Sequence, residues 1–300
     1  MRKEFTLQIN GKDYTLGPRT WISGIINVTP DSFSDGALYF DKDKAVERGL
    51  ELVSEGSDIV DIGGESTKPG SEPVSVEEEL SRAIPVVSAL RKKTEALISI
   101  DTTKSEVAEA ALDAGADIIN DISSLRFDLR MGPLAARRDV PVILMHMKGT
   151  PKTMQLNPSY ENVMVEVKAF LEEMLETAEA YGIKKEKLII DPGIGFGKRF
   201  EDNLTLIKNL GYLKDLDQPI LVGISRKSFI GKILNVPPHR RLEGTIASAI
   251  LSIVNGAHIL RVHDVASVKK AILVVEAIMN ENIPLSSFKE SEDRKRSYVF

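Results

Sequence analysis

Residues 99–123 read SIDTTKSEVAEAALDAGADIINDIS, and the plan of the chain follows from them. Leu97 to Ile100 is a short apolar, partly β-branched run that ends on Asp101. From Ser105 to Ala114 the apolar residues Val107, Ala108, Ala111 and Leu112 recur at helical spacing, and Gly115 ends the pattern. Asp117 to Asn120 is a second short strand. A helix between two strands this close in sequence makes the strands parallel. Both strands finish on a side chain that pairs well with an amide, Asp101 and Asn120. In parallel α/β folds the carboxyl ends of strands carry the chemistry. Either residue alone serves equally well as a helix cap or a turn former.

The same unit repeats along the chain. Strands are predicted at 21–28, 58–62, 97–100, 117–120, 140–145, 187–190, 219–223 and 258–262. Helices are predicted between and after them at 42–55, 76–92, 105–114, 131–138, 160–181, 203–210, 242–255 and 266–279. Eight strand–helix alternations in 300 residues favour a closed (β/α)8 TIM barrel over an open doubly wound sheet. Ahead of the barrel, Phe5–Ile9 and Tyr14–Leu16 flank Asn10-Gly11, a strong hairpin turn. The expected organisation is a hairpin at 1–20 closing the barrel bottom, one barrel at 21–282 and a polar tail at 283–300.

Composition narrows the function. A net charge of −5 argues against a general nucleic-acid or anionic-membrane binder, though not against a local cationic pocket. No cysteine is present, which removes disulfides, thiol catalysis and thiolate metal sites and fits a cytoplasmic protein. Behind the basic N-terminus there is no apolar run of signal-peptide type, and no stretch approaches the roughly 18 apolar residues of a membrane span.

The strand ends read together as a binding rim. Asn27 ends the first barrel strand, and a neutral amide oxygen beside a phosphate completes a Mg²⁺ shell. The loop behind it carries Asp31, Phe33 and Asp35, with Gly36 as a hinge for a lid. Asp61 ends the second strand, and Thr67 and Lys68 offer a hydroxyl and a cation on the next loop. DPGIGFGK at 191–198 is neither GxGxxG nor GxxxxGK[ST], so its glycines are read as letting backbone pass close to a flat ligand with Phe196 beside it. Arg226, Lys227, Arg261 and His263 place four basic groups on two adjacent strand ends, where barrel enzymes commonly bind phosphate. His146 is a candidate proton carrier; His239 and His258 are read as structural. No Glu/His cluster has zinc spacing. Asp101, Asn120 and Asp191 therefore suit a heterocycle with an amidine-like edge, and Asn27, Lys227, Arg261 and His263 suit a di-anion joined to it.

GIINVTPDSFSDG at 24–36, DIGGEST at 61–67, SIDTTK at 99–104, DPGIGFGK at 191–198, GISRKSFIG at 223–231 and RVHDV at 261–265 closely resemble the dihydropteroate synthase family. The resemblance spans about Trp21 to Met279 and implies a pterin-binding TIM barrel. It implies condensation of 6-hydroxymethyl-7,8-dihydropterin pyrophosphate with p-aminobenzoate, with Mg²⁺ as cofactor. Carried over by motif, the pterin side is Asp101, Asn120, Asp191 and Lys227, with Ile122, Met145 and Gly223 lining it. The p-aminobenzoate side is Thr67, Lys68, Pro69, Phe196, Arg226 and Ser228. Asn27, Thr67, Arg261 and His263 hold the pyrophosphate, Asn27 also touches the metal, and Phe33 and Asp35 join the catalytic set. Lys68 stands where the family usually has arginine, keeping the charge but losing the planar fork.

Three other readings stay open at this stage. A methyltetrahydrofolate-binding methyltransferase domain shares the clamp, a non-catalytic pterin-binding relative keeps its carboxylates, and Lys227 at a strand mouth suits a Schiff-base aldolase. The helices 242–255 and 266–279 carry a second apolar stripe beyond the one a barrel helix needs, so a homodimer is expected.

Overall fold

The computed structural model describes residues 2–29 and 42–279. Phe33, Asp35 and the expected tail at 283–300 lie outside the described residues. Strands β1 (Phe5–Ile9) and β2 (Lys12–Leu16) pair antiparallel. Asn10 and Gly11 between them have φ of 49° and 74°, the left-handed pair that a two-residue hairpin turn demands.

Eight parallel strands follow: β3 (Trp21–Asn27), β4 (Ile59–Gly63), β5 (Leu97–Asp101), β6 (Ile118–Asp121), β7 (Val142–Met145), β8 (Leu188–Asp191), β9 (Leu221–Gly223) and β10 (Ile259–Val262). They pair in the order β8-β7-β6-β5-β4-β3-β10-β9, and a parallel bridge between Ile190 and Ile220 joins the two ends. The fold is the (β/α)8 barrel expected from the alternation. Around it run α1 (Lys42–Ser54), α2 (Val76–Arg91), α3 (Ser105–Asp113), α4 (Met131–Arg138), α5 (Val163–Ala180), α6 (Phe200–Lys208), α7 (Ser228–Leu234), α8 (Leu242–Val254) and α9 (Val265–Met279).

Alternation along the strands divides the residues between two cores. Val60, Ile98, Ile100, Ile119, Leu144, Ile190, Val222 and Leu260 belong to the large cluster shared with the helices. The first inward residue of each strand (Trp21, Ile59, Leu97, Ile118, Ile143, Ile189, Leu221, Ile259) packs instead with Leu7, Ile9 and Leu16 of the hairpin. Lys187 Nζ donates to Gln8 O at 2.7 Å and Asn10 Nδ2 to Asp117 at 2.7 Å, which fastens the hairpin there. The barrel is thus sealed by apolar side chains at its amino end.

Several boundaries differ from expectation for local reasons. The strand expected from Val140 starts at Val142, because Asp139 turns left-handed (φ 49°) and Pro141 has no N–H for a ladder. The helix expected from Tyr160 starts at Val163, where the Asn162 side chain accepts from the N–H groups of Met164 and Val165. The helix expected from Asn203 starts three residues earlier, with Asp202 closing back on Arg199. Helix α7 falls in a stretch expected to be loop.

Candidate active site at the mouth of the barrel

Two residues beyond the apolar seal, the inward strand positions change character. They become Ser23, Asp61, Ser99, Asn120, Met145, Asp191, Gly223 and Arg261. Asp61, Asp101, Asn120 and Asp191 are all buried, so the polar layer is sunk inside the barrel rather than spread over its rim. Burying several charges is tolerable only if they pair.

The pairing runs through Arg261. Its Nη2 donates to Asp101 Oδ2 at 2.6 Å and its Nε to Asp61 Oδ2 at 2.6 Å. Asp61 also accepts from the Ser99 hydroxyl, and Asn120 Nδ2 stands 3.4 Å from both its oxygens. Asp61, read from sequence only as a strand end, is the hub that holds Asn120 and Arg261 in place. The two adjacent carboxyl-bearing strand ends in the sequence were the available signal, since β4 and β5 pair Asp61 with Ser99 in register. Burial pushes the Asp101 carboxyl up; Arg261 pulls against this, and Asp61 adds to it.

Asp191 lies across the barrel. Burial raises its pKa to about 6, against the Gly193 N–H that it accepts at 2.7 Å and the Lys227 cation nearby. Lys227 Nζ sits 4.1 Å from the centre of the Phe196 ring. Burial and the Arg261 cation lower this ammonium to about 8, with Asp191 and Asp101 opposing. Gly195 beside it takes φ +85°, a conformation that side chains rarely adopt, and a Cβ there would stand 3.1 Å from Lys227 Cδ. Ile122, Met145, Met147, Met154 and Phe196 form one apolar cluster, a soft wall next to the polar layer.

The 193–198 loop is folded around a lysine that sequence reading passed over. Lys198 is buried, and its Nζ donates to the carbonyls of Gly193 (2.8 Å), Phe196 (3.0 Å) and His146 (3.3 Å) and lies 2.9 Å from His146 Nδ1. Burial lowers this ammonium to about 7, and burial with the Lys198 charge lowers His146 to about 2. His146, expected as a proton carrier, thus has its Nδ1 engaged with Lys198 inside the protein, where burial and that charge disfavour a second proton on the ring. His258 is structural as expected: its Nδ1 accepts from Ile220 N–H at 3.1 Å.

The anion-side residues are brought to the same mouth. His263 Nδ1 is 3.0 Å from Ser225 Oγ, and burial together with Arg226 and Arg261 lowers it to about 3. His263 in the free protein is thus a neutral hydrogen-bonding group rather than a cation. Arg226, at φ +55°, pairs through Nε with Asp264 at 3.0 Å, so its charge is compensated within the protein. Ser228 begins α7 and is exposed. Thr67 is half-buried and Lys68 and Pro69 exposed on the loop after β4; Asn27 is half-buried at the end of β3. Among the described residues no three His, Asp or Glu side chains gather as a metal cage.

Comparison with known proteins fits this geometry. The family model for pterin binding enzymes matches residues 23–263. The chain is 48% identical over 261 residues to the dihydropteroate synthase of Escherichia coli (strain K12), covering 86% of this chain and 92% of that one. Its fold superposes on Xanthomonas albilineans dihydropteroate synthase bound to 4-aminobenzoic acid with a TM-score of 0.87, at 44% identity over 94% of this chain and 100% of the other. The complex of that enzyme with 7,8-dihydropteroate matches with a TM-score of 0.82, at 42% identity over 93% and 100%.

Proposed function

Since the chain belongs to the pterin binding enzymes, and within them to the dihydropteroate synthases, we propose that it condenses 6-hydroxymethyl-7,8-dihydropterin pyrophosphate with p-aminobenzoate by a dissociative path at the Asp61–Asp101–Asp191 layer. The observation that carries the residue roles is the burial of three carboxylates and Asn120 in one barrel interior with Lys227 and Arg261 facing them. Asp101, Asn120 and Asp191 pair with the amidine-like edge of the pterin, and Ile122, Met145 and Gly223 lie against its faces. Arg261 and His263 sit toward the pyrophosphate, with Asn27 and Thr67 at its far side.

In the first step the bond between the pterin methylene and the pyrophosphate oxygen breaks, and its electron pair leaves with pyrophosphate. The pterin ring shares the positive charge left on the methylene, and the buried carboxylates favour that charge electrostatically. In the second step the aryl amine nitrogen attacks the methylene and then loses a proton. Phe196, Arg226, Ser228, Thr67, Lys68 and Pro69 border the aryl amine. Phe33 and Asp35, between β3 and α1 in sequence, complete the proposed catalytic set. No side chain forms a bond to substrate; Lys227 acts as a cation over the Phe196 ring.

Mg²⁺ fits this site as a cation shared with its ligand. Asn27 offers one neutral oxygen, and a hard ion bound largely by phosphate oxygens and water needs few protein ligands. When bound it supplies charge that makes pyrophosphate a better leaving group.

We further propose a homodimer built on α8 and α9, and a cytoplasmic location. No helix among the described residues is long and apolar enough to cross a membrane. The test of the mechanism is positional isotope exchange. An ¹⁸O label placed in the bridge between methylene and phosphorus should migrate to a non-bridging position on the same phosphorus when p-aminobenzoate is absent. Retention of the label in the bridge, with pyrophosphate released only when both substrates are present, would favour direct displacement.

A further inference from the structure

The loop between β4 and α2 carries Thr67, Lys68 and Pro69, yet little of it is buried. Most of its hydrogen bonds are local. The Ser71 hydroxyl lies 2.5 Å from Ser66 O and 2.8 Å from Lys68 O, which closes the tip on itself. These bonds fix the shape of the tip, and a Gly70 N–H to Pro151 O bond at 3.0 Å with a Glu72–Lys152 pair at 2.8 Å ties it to the loop after β7, which leaves its link to the β5 end to one side chain. At the stem, Gly64 packs on α2, where a Cβ would approach Glu79 O to 3.1 Å, and Arg82 donates to Gly64 O at 3.0 Å.

One side chain of this loop reaches the neighbouring strand end. Glu65 pairs with Lys104 Nζ, and the same ammonium pairs with the buried Glu79 at 2.5 Å. Lys104 lies three residues beyond Asp101, and its backbone N–H is fixed on Thr102 Oγ1 at 3.2 Å. Burial works against the Lys104 charge, but the Glu65 and Glu79 carboxylates outweigh it and hold the ammonium above its usual range. A continuous path therefore runs from Asp101 through Lys104 and Glu65 to Thr67. It ties a pterin-side strand end to the loop proposed to border the aryl amine.

We infer that Glu65, through its ion pair with Lys104, is a positioning residue that sets where Thr67 and Lys68 stand relative to Asp101 and so controls aryl-amine affinity. This rests on the assignment of that loop to p-aminobenzoate made under Proposed function. Glu65 stands on a loop, and Lys104 keeps its buried partner Glu79 without it, so the effect of losing the pair should be local. Displacing a positioning group by about 1 Å is enough to cost a large factor in a bound complex.

The experiment uses Glu65→Ala, which leaves the Lys104–Glu79 pair intact and so avoids stranding a buried carboxylate. KM for p-aminobenzoate should rise about tenfold, while the Kd of a pterin lacking the pyrophosphate and the thermal midpoint stay at wild-type values. Glu65→Gln, which keeps an acceptor for Lys104 Nζ, should recover most of the loss. An unchanged KM, or KM and the pterin Kd rising together, overturns the inference. Lys68→Ala separates the two levels. If it raises the p-aminobenzoate KM and Glu65→Ala does not, the inference alone fails. If Lys68→Ala leaves that KM unchanged, the assignment of the loop fails first.

Discussion

Arg261 donates to Asp101 at 2.6 Å, although 160 residues separate them in the chain. The guanidinium stands where the pterin edge is proposed to bind, and it offers the same two-donor chemistry. A ligand with an amidine-like edge must replace it on Asp101, while Asp61 retains its own contact to Arg261. Asp101→Asn should therefore leave the fold intact but weaken pterin binding. An amide presents one donor where an acceptor is needed, a loss of about 1–3 kcal/mol or roughly 5- to 150-fold in affinity. Calorimetry with the pterin measures the loss, and circular dichroism checks the fold.

Removing the other partner has the opposite consequence. Arg261→Met leaves Asp61 and Asp101 buried without their shared cation, which should destabilise the protein by about 3–5 kcal/mol at pH 8. The loss should shrink as pH falls from 8 to 5. Asp101, which burial already raises, loses the Arg261 cation that opposed this, so it takes up a proton in the folded state at higher pH than in the unfolded chain and acidification favours the folded form. Urea unfolding of the variant at the two pH values tests this, and equal losses at both would contradict it.

Pterin affinity should carry an acid limb set by Asp101 and Asp191, both raised by burial. The folded pKa of Asp191 is raised to about 6, and the proposed pairing needs both carboxylates. Affinity is then full above about pH 8 and falls by roughly tenfold or more per pH unit below about 6. Asp191→Asn should bind weakly at every pH and keep only the part of the limb that Asp101 sets. Titrations between pH 5 and 8 distinguish the two profiles.

The exposed faces of α8 and α9 carry Leu251, Val254, Val274 and Ile278, at 54%, 53%, 60% and 74% exposure. Exposed apolar side chains on two helices packed together call for a partner. Light scattering should give twice the 33.1 kDa mass of the chain, and the double variant Leu251→Glu with Val274→Glu should give the single mass. A monomeric wild-type protein at micromolar concentration would exclude the interface.

The barrel was legible because its signals are local. β-Branched runs, glycine stops and the Asn10-Gly11 turn each decide their own few residues, and the structure follows them to within a few positions. Helix α7 was missed because SFIGKIL spans only two turns and contains a glycine, too short a window for a helical period. The site was legible as a set of strand ends but not as a set of pairs. Nothing near Asp61 in sequence names Arg261 as its partner, since barrel closure alone brings β10 next to β3. Lys198 went unread for a related reason. The nearby Asp202 suggests itself as its partner, but Arg199 takes that carboxylate and Lys198 turns inward to neutral carbonyls. His263 kept its place and lost its expected charge, because burial and two neighbouring arginines are three-dimensional facts.

The two substrates should bind in order, pterin pyrophosphate first. Asp101, Asn120 and Asp191, the polar groups proposed for the pterin, lie inside the barrel on β5, β6 and β8, already buried and hydrogen-bonded before any ligand arrives. The aryl-amine side is different: Lys68, Pro69 and Ser228 are exposed, so p-aminobenzoate alone meets a shallow surface. Holding exposed side chains in one geometry costs about 0.5–1.5 kcal/mol for each long one, and a ligand with so few atoms has little to set against that. Once the pterin and its pyrophosphate fill the interior, they supply a flat face and an anion against which Lys68 and Thr67 can settle. Binding of the second ligand then starts from a site already formed, which raises its apparent affinity. Titrating p-aminobenzoate into the free protein should give weak or no binding, and titrating it into protein holding a pterin with pyrophosphate and Mg²⁺ should give an affinity at least tenfold higher, about 1.4 kcal/mol. Equal affinities would mean that the second site is complete without the first ligand, and the order would be random.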